Sequence, residues 1–153
     1  MKSVYLCGPI TGLTYDQATE QREEMVERFK DHGVAAYSPM RGKIFYLESR
    51  SEALKAKGHT AIMSTDKAIV KRDRNDVKNC DLVFADLRGA QKTSIGSMVE
   101  YGWADAMGIP IITVMEPEGN PHDHAFVHQL STYVTDDVDE AFTLALYLLN
   151  ARK

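Results

Sequence analysis

S-I-G-S-M-V-E-Y-G-W-A-D-A-M-G, residues 94–108, decides the fold. Before it stand D-L-V-F-A-D at 81–86 and a polar loop; after it comes a second apolar run at 109–115. Strand, loop, helix, strand is one crossover unit of a parallel sheet. Ser94, Gly96 and Ser97 fall where the helix begins. There, unpaired backbone N–H groups and the positive end of the helix dipole can hold an anion. Glu100 follows Ser97 by three residues. That is the spacing of a capping box, in which the glutamate merely closes the first turn. The same place would suit a nucleophile, kept ionised by the helix end and aimed at whatever the loop binds.

Working outward, residues 3–7 read as a first strand that stops at Gly8-Pro9-Ile10-Thr11-Gly12. A glycine-flanked turn there lies at the carboxyl edge of the sheet, where such folds bind ligands. Alternation puts Tyr5 and Cys7 on one face of that strand. A helix over 16–32 carries Ala18, Met25, Val26 and Phe29 as its apolar stripe and ends at Gly33. A second strand at 34–38 leads to the basic loop Met40-Arg41-Gly42-Lys43. Residues 44–65 are irregular and long for a connection, so a lid or substrate-shaping insertion is expected. Thr65 or Asp66 caps a helix to about residue 79, rich in charge at 71–76, and residues 82–85 form a third strand. A fourth strand at 110–115 opens into a loop, followed by a possible fifth strand at 132–134. Asp136 or Asp137 then caps a final helix with Val138, Ala141, Phe142, Ala145, Leu148 and Leu149 on one face. The expected architecture is a doubly wound, flavodoxin-like α/β domain spanning 1–153. It has about five mostly parallel strands with helices on both faces. Three polar elements, at 8–12, 41–43 and 94–100, then converge on one cleft.

Composition narrows the function. The chain has 153 residues, 44% hydrophobic and 26% charged, with a net charge of −4 and a pI near 5.7. A nucleic-acid polymer normally meets a basic face, so that partner is disfavoured; small basic clusters suit a small anion better. Cys7 and Cys80 sit in or beside apolar runs and read as reduced packing residues of a cytoplasmic protein. No apolar run approaches the roughly 18 residues of a membrane span. His122, His124 and His128 invite a metal, yet no cysteine or carboxylate pair accompanies them, so neither metal nor other cofactor is expected.

Four segments stand in a characteristic order: Y-L-C-G-P at 5–9, R-D-R-N-D at 72–76 before Cys80-Asp81, S-I-G-S-M-V-E at 94–100, and G-W-A…G-I-P at 102–110. Together they resemble the nucleoside 2-deoxyribosyltransferase superfamily, which includes related nucleoside 5'-monophosphate N-glycosidases. The resemblance implies that Glu100 attacks the anomeric carbon and that Tyr5 steadies it, while Asp73 meets the leaving base. It implies a substrate site built from Gly8, Pro9, Ile10, Gly12, Ser94, Gly96 and Ser97, with Arg41 and Lys43 close by. Transferases of free nucleosides typically carry aspartate at the position of Ser94, whereas the monophosphate hydrolases carry serine. The substrate would be a nucleoside or its monophosphate, with a nucleobase as product or acceptor. The family also completes each site with a residue lent by a neighbouring subunit. Histidines stand there in this chain, and His124, with His122, is expected to reach across a homodimer or larger homo-oligomer. The competing expectation is a non-catalytic nucleotide-sensing module. A flavodoxin-like electron carrier lacks a flavin-stacking pair in the loops.

Overall fold

The computed structural model describes residues 1–41 and 65–150. The expected lid at 44–65 therefore lies outside the described residues, apart from Thr65, and so does Lys43. The elements are β1 (Ser3–Cys7), α1 (Tyr15–Asp31), β2 (Ala35–Tyr37), α2 (Asp66–Asn79) and β3 (Leu82–Asp86). They continue with α3 (Ile95–Ala106), β4 (Ile111–Val114), α4 (Ala125–Leu130), β5 (Tyr133–Thr135) and α5 (Val138–Asn150). The strands form one sheet in the order β2-β1-β3-β4-β5, every described pair parallel. That is the flavodoxin-like order, with its switch point between β1 and β3.

The two-residue period of the strands divides the interior into two cores. Val4 and Leu6 of β1, Leu82 and Phe84 of β3, and Ile112 and Val114 of β4 face α1 and α5. Phe29 of α1 is the centre of that layer, edge-on to Phe84 at 5.7 Å and tilted on Phe142 at 4.9 Å. Tyr5, Cys7, Val83, Ala85 and Ile111 face the other way, against Val77 of α2, Tyr101 and Ala104 of α3 and Val127 of α4. Burial on both faces is why these strands read as continuous apolar runs.

Two differences from the sequence reading bear on the site. The segment after β4 is not all loop: α4, six residues long, sits in it behind an N-cap at His124. And α3 starts earlier than a Ser97–Glu100 capping box requires. Its N-cap is Ser94, whose hydroxyl accepts the Ser97 N–H at 3.3 Å. Glu100 is thereby moved into the second turn, and its side chain is free for another task.

Candidate active site

Glu100 points from α3 toward β1, where the Tyr5 hydroxyl donates to its Oε1 at 2.7 Å. This contact follows from two periodicities. Tyr5 leaves β1 toward the α3 layer, and Glu100 lies one turn after Gly96 and Ser97 on the inward face of α3. The carboxyl group is buried, and burial pushes its pKa up to about 7. Hydrogen bonds from Cys7 and Tyr5 pull the other way, the negative charge of Asp73 adds to the rise, and the Arg22 guanidinium opposes it. The helix end thus does not keep Glu100 fully ionised, contrary to the sequence expectation; removal from water outweighs it. Tyr5 and Cys7 are themselves held well above their ordinary values, first by burial and then by the charge of Glu100, so both remain protonated donors.

Asp73 is buried on α2, and its Oδ1 receives Arg72 Nε at 3.1 Å and a guanidinium N–H at 2.9 Å. The charge run at 71–76 therefore does not face only solvent: Asp73 and Asp76 turn inward. Arg72 also donates to the carbonyls of Pro39 and Arg41, tying α2 to the loop after β2. Arg41, expected close to the substrate site, is paired with Asp76 at 2.7 Å and lies over the Tyr37 ring.

At the switch point between β1 and β3, a cavity of about 340 Å³ opens between the loop after β1 and the loop after β3. Pro9, Thr11, Gly12 and Leu13 line one side and Arg88 to Lys92 the other, with Gln21, Arg22 and Met25 of α1 between them. Cys7, the thiol that bonds Glu100, is part of its wall, whereas Tyr5, Asp73, Ser94 and Glu100 are not. Gly8 is required where the two loops meet, since a Cβ there would come within 2.5 Å of the Asp86 carbonyl oxygen. Gly12 adopts a φ of 94°, which side chains other than glycine's rarely tolerate. Ile10 is not part of the wall; it packs on Tyr15, Ala18 and Met40. A larger hollow of about 540 Å³ lies at the opposite, amino edge of the sheet, around Lys2 and Asp81, away from Glu100.

The N-terminus of α3 lies at the carboxyl edge of the sheet. Ser97 Oγ donates to Ser94 Oγ at 3.0 Å, and the N–H groups of Ile95 and Gly96 precede the first intrahelical bond, Met98 N–H to Ser94 O. Two backbone donors and a pair of hydroxyls thus gather at one point.

Two groups that matter here were not singled out from the sequence. Arg22 donates to the carbonyls of Ala18 at 2.6 Å and Pro9 at 3.2 Å, while its enclosed Nε has no partner among the described residues. Its place in the 18–25–29 stripe was the available signal, because position 22 falls on the buried side of the helix. The other group is the loop after β4. His122, expected to reach a neighbouring subunit, is 1% exposed and turned inward, its Nε2 accepting the Ser94 N–H at 2.8 Å. His124 is exposed, with Nδ1 accepting the Phe126 N–H. His128 pairs with Asp123, so the three histidines do not converge.

With this geometry in place, comparison with known proteins gives the class. The pattern of the nucleoside 2-deoxyribosyltransferase family matches residues 4–139. The chain belongs to that family, and its general chemistry is that of the nucleoside N-glycosidic bond. Solved structures share the fold at low identity. A 2-deoxyribosyltransferase from Bacillus psychrosaccharolyticus superposes with a TM-score of 0.65 at 14% identity over 90% of this chain and 88% of that one. The CMP N-glycosidase BcmB of Clostridium botulinum gives 0.57 at 22% identity, over 95% and 99%. A 2-deoxyribosyltransferase from Leishmania mexicana gives 0.60 at 18%, over 94% and 96%. No curated protein matches the sequence.

Proposed function

We propose that the protein cleaves the N-glycosidic bond of 2'-deoxynucleosides or their 5'-monophosphates by double displacement at Glu100. The observation that carries this is the buried Tyr5–Glu100 hydrogen bond on the α3 side of the sheet, joined to the switch-point cavity through Cys7. In the first step a Glu100 carboxylate oxygen forms a bond to C1' as the C1'–N bond breaks. The electron pair goes to the base, which leaves with a proton taken from solvent or relayed through Asp73. In the second step water, or the ring nitrogen of another base, attacks C1' and releases the carboxylate. Its proton goes to Asp73 or solvent, and configuration is retained. Water gives base and sugar phosphate; a base gives a new nucleoside. With its pKa pushed up to about 7, Glu100 is the stronger nucleophile once it is ionised, and the ionised fraction sets the pH at which it acts.

Ser94 favours the monophosphate. A neutral hydroxyl beside two free N–H groups at a helix end stabilises phosphate, whereas a carboxylate there would repel it. Pro9 and Gly12 line the switch-point cavity, with Arg88 to Lys92 facing them. Exposed Ile95 and Val99 on α3 and Phe126 on α4 support assembly into at least a dimer, with His124 lent to the neighbouring site. The two free, buried thiols agree with a reducing, cytoplasmic setting. The decisive experiment is intact-mass analysis after incubation with a 2'-fluoro substrate analogue, followed by peptide mapping. A glycosyl adduct on Glu100, absent from Glu100→Gln, is expected; turnover retained by Glu100→Ala would refute the route. Assays with and without acceptor base then separate transferase from hydrolase. Tight nucleotide binding without any release of base would point to the sensing module instead.

A further inference from the structure

We propose that His122 is a positioning residue that aims the N-terminus of α3 at the substrate's 5'-phosphate. This rests on reading Ser94 and its neighbours as the phosphate end of the site. A backbone N–H can only donate, so the 2.8 Å contact between Ser94 N and His122 Nε2 makes Nε2 the nitrogen with the lone pair. The proton is then on Nδ1, donating to Asn120 Oδ1 at 3.1 Å, which also accepts the His122 backbone N–H at 2.9 Å. Asn120 is anchored in turn. Its amide donates to the Leu87 carbonyl at 2.9 Å and to Glu116 Oε2 at 2.6 Å, while Glu116 Oε1 accepts the Gly89 N–H at 2.7 Å. Thr93 adds a bond to the Pro121 carbonyl.

The loop after β4 is thus a splint along the whole loop from β3 to α3. Its last contact falls on the N-cap residue itself. By accepting the Ser94 N–H, His122 fixes the peptide that enters α3. It thereby sets the direction of the next two N–H groups, those of Ile95 and Gly96. A buried imidazole held from both sides has one orientation, so the cradle it supports has one as well. None of His122, Asn120 and Glu116 is among the groups that bond or charge Glu100, which is why the effect should fall on phosphate recognition rather than on bond breaking.

The test compares the native enzyme, His122→Leu and His122→Gln on a deoxynucleoside 5'-monophosphate and on the matching nucleoside. NMR of the labelled native protein accompanies it, to detect scalar coupling between Ser94 N and His122 Nε2. Losing one well-placed hydrogen bond predicts that His122→Leu raises KM for the monophosphate about tenfold, with kcat much less affected. The ratio of monophosphate to nucleoside kcat/KM falls by about the same factor. In His122→Gln, Oε1 occupies the place of Nε2, and the ratio should return to within about twofold of native. Equal losses on both substrates, a fall in kcat alone, or no coupling would overturn the proposal. Should His122→Leu fail to fold, the glutamine variant and the coupling decide; a Gln variant that loses the monophosphate preference overturns it. A native enzyme that does not prefer the monophosphate overturns the phosphate reading, and this inference with it, before any variant is made.

Discussion

Glu100 has to be sheltered from water and still carry a charge when it reacts. Three neighbours manage that conflict: the Tyr5 hydroxyl, the Cys7 thiol and the Arg22 cation each favour the ionised form, against burial and Asp73. If the carboxylate is the nucleophile, kcat/KM must rise with pH through about 7 and level off above it. Tyr5→Phe removes a donor to the charged form. A hydrogen bond to a charged group contributes about 1.5–3 kcal/mol, so the acid limb should move up by roughly one to two pH units. Arg22→Met removes a favourable charge and should shift the limb in the same direction. A pH–rate profile between pH 5 and 9 checks both, and a limb that stays put in Tyr5→Phe would show that the bond does not tune the glutamate. At this scale the sequence told half the story. Strand alternation put Tyr5 and Cys7 on the correct face, but no local pattern says that a carboxylate twelve or more positions from any neighbour of β1 will be met there. Arg22 was hidden by its charged neighbours in Q-R-E-E, although its position on the helix faces inward.

At the scale of the element, α3 shows why helix starts are hard to read. Two serines three residues apart both offer an N-cap, and the S-x-x-E spacing favours Ser97. The structure selects Ser94 because Tyr5 claims Glu100 from the sheet and His122 takes the Ser94 N–H from the loop after β4. Both contacts bridge distant parts of the chain, and no local propensity encodes them. The short α4 was missed for a similar reason, since its cap is a histidine side chain rather than one of the usual capping residues. Ser94→Asp separates the two jobs of this position. Aspartate caps a helix as well as serine does, so the melting temperature should change little. Two negative charges about 4 Å apart near a protein surface repel by several kcal/mol, however. KM for the monophosphate should therefore rise at least about tenfold, while the free nucleoside is bound no worse. Steady-state kinetics on the matched substrate pair give the answer, and an unchanged preference would remove Ser94 from phosphate recognition. In α1 the stakes are in the core: Phe29→Ala leaves a hole against Phe84 and Phe142 and should cost about 3–5 kcal/mol in denaturant unfolding.

For the whole molecule, the parallel sheet order was legible because each apolar run alternates with a helical pattern, and right-handed crossovers leave few ways to arrange such units. What that arrangement costs can be measured at Glu100. The fold brings a carboxyl group into the layer between β1 and α3, where its pKa is about 7 against an ordinary 4.5. Between those two values the folded state binds a proton that the unfolded state has lost. Stability therefore falls as pH rises through that window and is lowest above it. A difference of that size amounts to roughly 3 kcal/mol. Glu100→Gln keeps an oxygen to accept the Tyr5 hydroxyl and never ionises. At pH 8 it should melt higher than the native protein by roughly 6–12 °C, and at pH 4.5 the two should coincide. Calorimetry at both pH values tests this directly. The variant would be inactive and more stable, as expected when a reactive group is held where folding alone would not choose to put it. A difference in melting temperature that does not depend on pH would mean that the carboxyl group never bore the penalty of a buried charge.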